Sequence, residues 1–411
     1  MLNILMIFLL QNVLLVFLID RCLKWWPRTA GRHGVMRRYW ITVFIVFVLL
    51  PLTGALLPDG PVKFALAAAG NIWLGFYVYF GGLVLILLIL AGVIALAARL
   101  VRGAGRKENA AGLAESQKKA LFRYLAGAVL CLSFAGGLIL MVYGMVHAQR
   151  TKVVTYDLAV DKAADEPGAQ LNVVLIGDLH LSVNSRLSMT ERMVELVNAQ
   201  EPDVVLVAGD IFTSTYAGLS HPEQYAQALR GIQAKYGVYA VYGNHDVEEP
   251  LLGGFSLTPI SEALRSPEIE QFFADSGFTV LTDEVVTLPG GVQLAGRIDG
   301  EKAGDGTANR MSAARLLEGI DPERPVLVLE HEPVEYKALS EAGADVVMSG
   351  HTHAGQIFPG NLIVPFFNEN GWGYKRLHEV DTIVTAGVGY YGPPMRVGTD
   401  SEVTVIRMTF R

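Results

Sequence analysis

Cysteine is almost absent from this sequence, which has only two cysteines in 411 residues. Both of them, Cys22 and Cys131, lie in the first 150 residues. The rest of the chain can therefore form neither a disulfide framework nor a cysteine-based metal site. Charged residues are also few, at 18%, against 51% apolar residues, a balance that leans towards a membrane protein.

The charges divide the chain into two unlike parts. Up to Arg150 there are fifteen Lys and Arg against four Asp and Glu, whereas the remainder holds eighteen against thirty-six. The acidic second part offers no broad basic surface to neutralise the phosphates of a polynucleotide. We therefore expect no nucleic-acid partner, and we predict two domains, residues 1–150 and residues 151–411.

Long apolar runs occur only in the first 150 residues. Four are long enough to cross a bilayer as helices, and they cover approximately residues 2–19, 39–57, 72–98 and 121–147. A signal peptide is the alternative for the first run, but that run has neither a basic start nor a small-residue cleavage site. No ionisable residue lies in the middle of a run, which favours an anchor in the lipid bilayer over a transport role.

The loops between these runs differ in charge. Six Arg and Lys residues follow the first run and seven lie between Arg99 and Arg123, whereas the loop after the second run has only Lys63. Basic loops stay in the cytoplasm. The pattern predicts a multi-pass protein of the cytoplasmic (inner) membrane, with residues 151–411 on the extracytoplasmic side.

Residues 151–411 alternate between two patterns. Short apolar runs typical of strands are separated by stretches of helical periodicity at 186–200, 222–236, 259–276, 309–319 and 334–343. Further strands are predicted at 153–160, 292–296, 382–386 and 402–409. This alternation indicates an α/β domain, in which functional loops collect at the carboxyl ends of the strands.

Five of the strand-like runs end in residues that can bind a metal ion. The residues at these ends are Asp178, His180, Asp210, Asn244, His245, His331, His351 and His353. Imidazoles with carboxylates and one amide suit Mn, Fe or Zn better than Ca, which takes oxygen ligands only. The set is too large for one ion. It predicts two divalent or trivalent metal ions that share a carboxylate and clamp the oxygens of an in-line displacement at phosphorus.

These motifs resemble those of the calcineurin-like metallophosphoesterases. The motifs are DLH at 178–180, GD at 209–210, GNHD at 243–246, a histidine at 331 in EHEP, and GHTH at 350–353. Their order and spacing agree over residues 170–405. The apolar first part and the run GHTHAGQIFPG at 350–360 look most similar to the bacterial membrane-anchored branch. The resemblance implies a four-layer α/β/β/α sandwich.

The resemblance also implies how the ligands are shared. The first metal would take Asp178, His180 and His353, the second would take Asn244, His331 and His351, and the bridge between them would be Asp210.

Two further implications concern residues next to the metals. His245 would not bind metal; with Asn244 it would face the substrate phosphate, and it would stabilise or protonate the leaving oxygen. Thr213 departs from the family, which often has an acidic residue three positions after the bridging aspartate.

The chemistry of their side chains makes several further residues candidates for the site. Asp246 follows His245 directly and could hold its imidazole in the charged form, which predicts a catalytic pair. Arg297 could reach a substrate phosphate, although a surface or ion-pair role is favoured. Asp299 and residues 374–376 could line the substrate groove, although a solvated loop is favoured for both.

The predicted function is that of a membrane-anchored phosphoesterase acting on a phosphodiester or phosphomonoester by attack of metal-bound hydroxide. A lipid or envelope substrate is expected because the site is tethered near headgroups. One alternative is a pyrophosphatase of a nucleotide-linked lipid precursor, which would need cytosolic substrate. Another is a non-catalytic membrane sensor that retains the fold, although all the motif ligands are present.

Overall fold

The computed structural model of the protein describes residues 12–18, 20, 35, 38–39, 41–46, 49, 57–104, 115–166, 168–252, 255–256 and 258–411. The chain divides into two compact units. The first comprises Met1–Thr53 and Ala69–Tyr143, and the second comprises Gly54–Ala68 and Gly144–Arg411.

Two long helices occupy the apolar part of the chain: α1 spans Pro61–Ala104 and α2 spans Glu115–His147. Within them, Pro61–Leu100 and Tyr124–His147 are long and apolar enough to cross a membrane. α1 begins earlier than the predicted 72–98 because alanine-rich residues precede that run and proline is tolerated at the first helical position. The predicted runs at 2–19 and 39–57 lie largely outside the described residues, of which 12–18 and 41–46 are helical.

In the first unit, α1 and α2 pack through aromatic side chains. The rings of Phe76 and Phe80 stack at 5.5 Å, and Phe134 meets Phe76 edge-on at 5.3 Å. Gly137 permits this approach, since a Cβ atom there would lie 3.1 Å from the backbone nitrogen of Phe80. A small residue thus lets the two helices come close together.

The second unit contains two six-stranded sheets. The first has the order β1 (Thr151–Val160), β14 (Ser401–Phe410), β2 (Gln170–Ile176), β3 (Val204–Ala208), β4 (Val238–Val241) and β7 (Thr279–Val280). β1 runs parallel to β14, which is antiparallel to β2. From β2 to β7 the strands are parallel.

The second sheet is also mixed. Its order is β12 (Gly373–Leu377), β13 (Val380–Val384), β11 (Val346–Ser349), β10 (Val326–Leu329), β9 (Gln293–Gly296) and β8 (Glu284–Thr287). The four inner strands are parallel and the two edge strands are antiparallel to their neighbours. A small hairpin joins β5 (Leu251–Leu252) and β6 (Phe255–Ser256).

The helices of this unit are α3 (Leu187–Asn198), α4 (Pro222–Arg230), α5 (Pro267–Asp275), α6 (Ala313–Leu316), α7 (Tyr336–Glu341) and α8 (Gly360–Ile363). The helices predicted at 259–276 and 309–319 are shorter than expected. The cause is local: the hydroxyls of Ser266 and Ser312 accept hydrogen bonds from Ile269 and Arg315, and so begin α5 and α6 late.

Three clusters of buried apolar side chains hold the sheets and helices in four layers. α3, α4 and α5 pack on the first sheet, where Met193 and Phe272 lie against its inner strands. The two sheets face each other through side chains such as Leu206 and Leu329. α6 and α7 cover the other face of the second sheet. The inner strands are buried on both faces, which explains their nearly continuous apolar sequences.

Candidate metal centre

Strands from both sheets end at one place in the second unit. The carboxyl ends of β2, β3, β4, β10 and β11 lead directly into the predicted ligands. The structure brings together Asp178, His180, Asp210, Asn244, His331, His351 and His353. These residues are buried, apart from His351, which is partly exposed.

One group of donor atoms belongs to Asp178, His180 and His353, and its members all lie within 4.8 Å of one another. The Nε2 atoms of the two imidazoles are 2.9 Å apart. The Nε2 of His353 also lies 3.5 Å from Oδ1 of Asp178. Three donor atoms therefore converge on one point.

A second group belongs to Asp178, Asp210 and His331. The Nε2 of His331 lies 3.2 Å from Oδ2 of Asp210 and 3.1 Å from the amide oxygen of Asn244. His351 joins this group, since its Nδ1 is 3.2 Å from the same Nε2. The two groups adjoin, because Asp178 belongs to both.

The chemistry of these groups fits metal ions. Two ring nitrogens that face each other can share at most one proton, and this arrangement occurs twice here, between His180 and His353 and between His331 and His351. Donors that bind one ion at about 2.0–2.2 Å lie no more than roughly 4.4 Å apart. The donor separations of 2.9–3.5 Å are within that limit.

Burial keeps three of the imidazoles neutral, the form that binds metal. It lowers the pKa of His180 to about 3 and that of His351 to about 4, and it lowers the pKa of His353 well below its usual value. For Asp210 burial raises the pKa, but the positive charges of His331 and His245 and the hydrogen bond from His331 together lower it by more, so the net pKa is well below the usual value. The ionised carboxylate of Asp210 thus faces the neutral ring of His180 in one donor group.

The carboxylates of this site attract positive charge. Burial lowers the pKa of His331, but the charge of Asp210, its hydrogen bond and the charge of Asp178 outweigh burial and raise the pKa well above its usual value. The site therefore favours a cation at the point where these groups meet. A metal ion would supply that charge directly.

Five of the predicted ligands have a left-handed backbone. The φ angles are 53° at Asp178, 47° at His180, 52° at Asp210, 73° at His351 and 51° at His353. Residues other than glycine adopt this region at a cost, and such residues cluster at functional sites. The fold thus holds these side chains in strained turns directly after their strands.

Two glycines let the loops approach each other closely. A Cβ atom at Gly243 would collide with the carboxylate of Asp210, and one at Gly350 would lie 2.5 Å from Oδ2 of Asp178. A larger residue at either position would push a carboxylate out of place.

His245 lies beside the donor groups, but a different acid from the predicted one holds it. Its Nδ1 is 3.0 Å from Oε1 of Glu249. The prediction that Asp246 holds this imidazole is wrong, because the Asp246 carboxylate accepts hydrogen bonds from the backbone N–H groups of Phe212 and Gly243. Adjacent side chains in this turn point in different directions, and Asp246 fixes the backbone rather than the ring.

Sequence reasoning missed Glu249. Its buried carboxylate also accepts hydrogen bonds from Lys302, at 2.6 Å, and from the hydroxyl of Ser256, at 2.5 Å. Burial raises the pKa of Glu249, but the hydrogen bonds from His245 and Lys302 lower it by a larger amount. The net pKa is therefore below the usual value. The sequence offered one signal for this contact, since Glu249 stands four positions after His245.

Arg297 is fully buried. Its guanidinium donates to Glu330 and Glu335, at 2.7 Å in both cases. The favoured ion-pair role matches these contacts. The prediction of a contact with substrate phosphate is wrong, because a side chain closed off in this way presents no donor to a ligand.

Asp299 is not in a solvated loop, contrary to expectation. It is buried, and its Oδ1 accepts a hydrogen bond of 2.7 Å from the backbone N–H of Lys302. Residues 374–376 are exposed but lie in β12 rather than in a loop.

Three more residues support the site. The Thr213 hydroxyl donates to the backbone carbonyl of His180 at 3.0 Å, so this position orients a ligand without a charge. The Tyr391 ring lies 4.7 Å from the ring of His245 and 5.2 Å from that of His180. Arg396 is buried and donates to backbone carbonyls of the turn after β13. Sequence reasoning missed Tyr391 and Arg396, which no motif includes.

Comparison with known proteins gives a consistent result. Residues 171–355 match the family model for calcineurin-like phosphoesterases. A Danio rerio protein named "Transmembrane protein with metallophosphoesterase domain" is 34% identical over 65% of this chain and 60% of its own length. Its Bos taurus namesake is 30% identical over 65% and 59%, respectively. An uncharacterized metallophosphoesterase of Helicobacter pylori (strain J99) is 29% identical over 63% and 64%. The chain thus spans less than two thirds of the length of these relatives.

Proposed function

We infer that the protein is a metal-dependent phosphoesterase with two metal ions, because residues 171–355 match the family model for calcineurin-like phosphoesterases. The observation that supports two ions is the position of Asp210. Its Oδ2 lies 3.5 Å from the Nε2 of His180 in one donor group and 3.2 Å from the Nε2 of His331 in the other. A shared carboxylate is what a pair of ions needs.

The proposed ligands follow the two donor groups. One ion would take Asp178, His180 and His353, the other would take Asn244, His331 and His351, and the bridge would be Asp210. Mn, Fe or Zn ions bound here would activate a water molecule and neutralise charge on the phosphate oxygens.

His245 would act on the substrate rather than on the ions. Glu249 engages its Nδ1, which leaves Nε2 to donate a proton to the leaving oxygen. Burial lowers the pKa of His245, but the charge of Asp210 and the hydrogen bond to Glu249 raise it by more. The imidazole thus retains the proton that a general acid must give.

The proposed substrate class follows from the two long apolar helices. α1 and α2 would keep the site near lipid headgroups, so we propose a phosphodiester or phosphomonoester of a lipid or envelope component.

A direct test is hydrolysis of a nitrophenyl phosphodiester by the full chain in detergent with added Mn²⁺. Asp210→Asn and His351→Ala should each abolish turnover, while Arg192→Gln, at an exposed ion pair on α3, should not. Normal turnover in both ligand variants would contradict the assignment. If the protein binds no metal and hydrolyses no phosphoester, it is a non-catalytic sensor instead.

The side of the membrane separates the leading proposal from a pyrophosphatase with a cytosolic substrate. Glu195→Cys can be introduced on the exposed face of α3 in a chain that carries Cys22→Ser and Cys131→Ser. A membrane-impermeant maleimide should label it in intact cells, whereas Lys107→Cys, in a predicted cytoplasmic loop, should react only after permeabilisation. The reverse pattern would favour the pyrophosphatase.

A further inference from the structure

An exposed apolar stretch follows the last ligand motif in the second unit. Residues 358–367, here named the apolar segment, form α8 and a 3₁₀ turn at Val364–Phe366. Phe366 and Phe367 are 84% and 81% exposed. The other exposed apolar side chains of the segment are Phe358, Leu362 and Ile363. Exposed aromatic and aliphatic side chains that adjoin in this way mark a binding surface.

The surrounding sequence indicates the kind of surface. No charged residue occurs from Ala354 to Asn368. Trp372 follows, 50% exposed, and then come the exposed basic residues Lys375 and Arg376. Apolar side chains beside tryptophan and basic residues are typical of segments at the membrane–water interface, where indole rings lie among headgroups and cations meet anionic lipid.

Contacts within the second unit place the apolar segment beside the end of α2. The last turn of α2, from Gly144 to His147, belongs to this unit. The Gly144 carbonyl accepts a hydrogen bond of 3.1 Å from Arg396, and Gly144 packs against the side chain of Val397. The carbonyl of Val397 in turn accepts a hydrogen bond of 2.8 Å from Phe358.

The same connection is reinforced further along the turn. His147 contacts Asp400 at 2.8 Å, and the Ser401 hydroxyl donates to the carbonyl of Ala148. The Thr399 hydroxyl donates to the carbonyl of Gln356, next to the apolar segment. Because α2 contains a candidate membrane span that ends at His147, these contacts bring the segment close to the level at which that span leaves the bilayer.

We propose that the apolar segment docks on the lipid bilayer, with Phe366 and Phe367 inserted below the headgroups. α2 brings the unit to the membrane, and the segment gives it a second contact with the same surface. The segment begins five residues after the ligand His353, so docking holds the metal centre near the headgroup layer. Docking needs no catalysis, and its test does not depend on the proposed activity.

The experiment uses the full chain with Cys22→Ser and Cys131→Ser, reconstituted in nanodiscs of phosphatidylcholine with a minority of phosphatidylglycerol. Phe366→Cys and Phe367→Cys are labelled separately with an environment-sensitive fluorophore. The exposure of both positions means that neither substitution removes core packing. The matched control is Lys337→Cys, an exposed site on α7.

The expected result is an emission shift to shorter wavelength at positions 366 and 367, with quenching by spin-labelled lipid and protection from a water-soluble quencher. The label at position 337 should show the opposite pattern. Two results would overturn the proposal. One is a water-exposed label at both positions. The other is shielding from both quenchers, which would show that a protein surface, such as a second copy of the chain, covers the segment.

Discussion

The Nδ1 of His245 lies 3.0 Å from the Oε1 of Glu249, and Glu249 is held in turn by Lys302 and Ser256. This buried chain of contacts fixes the orientation of the imidazole beside the donor groups. It assigns to Glu249 the role that the sequence predicted for Asp246.

Glu249→Gln should lower kcat about 10–100-fold, the usual cost of removing a residue that orients an active-site group. Glutamine keeps the size but not the charge, so the pKa of His245 should fall. The protonated imidazole is then lost at lower pH, and the alkaline limb of the pH–rate profile should move to lower pH. Metal content should match that of an exposed control, Glu341→Gln on α7. A reduced rate with an unchanged profile would mean that Glu249 only supports the fold.

Metal should stabilise the wild-type chain by an amount that rises with the logarithm of the free metal concentration above Kd. At a free Mn²⁺ concentration 100 times Kd, the gain is about 2.7 kcal/mol. Asp210→Asn should lose most of this gain, because its carboxylate lies next to a histidine of each donor group. Thermal unfolding of the full chain with and without Mn²⁺, followed by fluorescence, measures the difference. An equal shift in the variant would remove Asp210 from the ligand set.

Gly243→Ala should disrupt the site through a single methyl group. The added Cβ would collide with the Asp210 carboxylate, and overpacking of this kind costs about 1–3 kcal/mol. Gly218→Ala is the matched control, since its Cβ would meet its nearest neighbour at 3.5 Å. Bound metal per chain, measured by mass spectrometry, should fall in the first variant and hold in the second. Full occupancy in Gly243→Ala would show that the loops are free to separate.

Arg297→Gln tests whether this residue acts on stability or on substrate. Removing one partner of a buried ion pair costs about 3–5 kcal/mol, because the other charge stays buried. The exposed pair of Arg192 and Glu195 provides the control, and Arg192→Gln should change stability by less than about 1 kcal/mol. Denaturant unfolding gives both values. A stable Arg297→Gln variant with a raised KM would restore the contact with substrate.

The sequence was sufficient to predict those features that depend on neighbouring residues in the chain. The apolar runs before Asp178, Asp210, Asn244, His331 and His351 predicted five strands, because a strand buried on both faces needs a continuous apolar sequence. Parallel strands then bring their carboxyl ends to one edge, and the structure has these strands in that arrangement. The resemblance supplied the pairing of ligands with ions, which strand patterns alone do not determine.

Contacts between distant loops were not predictable in the same way. Glu249 reaches His245 because a turn folds back, and Lys302 reaches Glu249 from a loop 53 residues away. Tyr391, which packs against the ring of His245, belongs to the turn after β13. Asp299 was expected in a solvated loop, yet it lies in the interior, where its Oδ1 accepts hydrogen bonds from the backbone N–H groups of Glu301 and Lys302. Such contacts depend on how distant loops come together in the folded chain, and the periodicity of the sequence carries no information about that.

β1 starts four residues after α2 ends, and its neighbour in the first sheet is β14, which pairs with it from Ser401 onwards. During synthesis, therefore, β1 emerges first and has no partner strand until β14 is made, about 250 residues later. The first sheet stays incomplete until that strand is made. A ribosome that stalled before Ser401 would leave β1 and β2 each with an unpaired strand edge, and such a chain would be prone to aggregate.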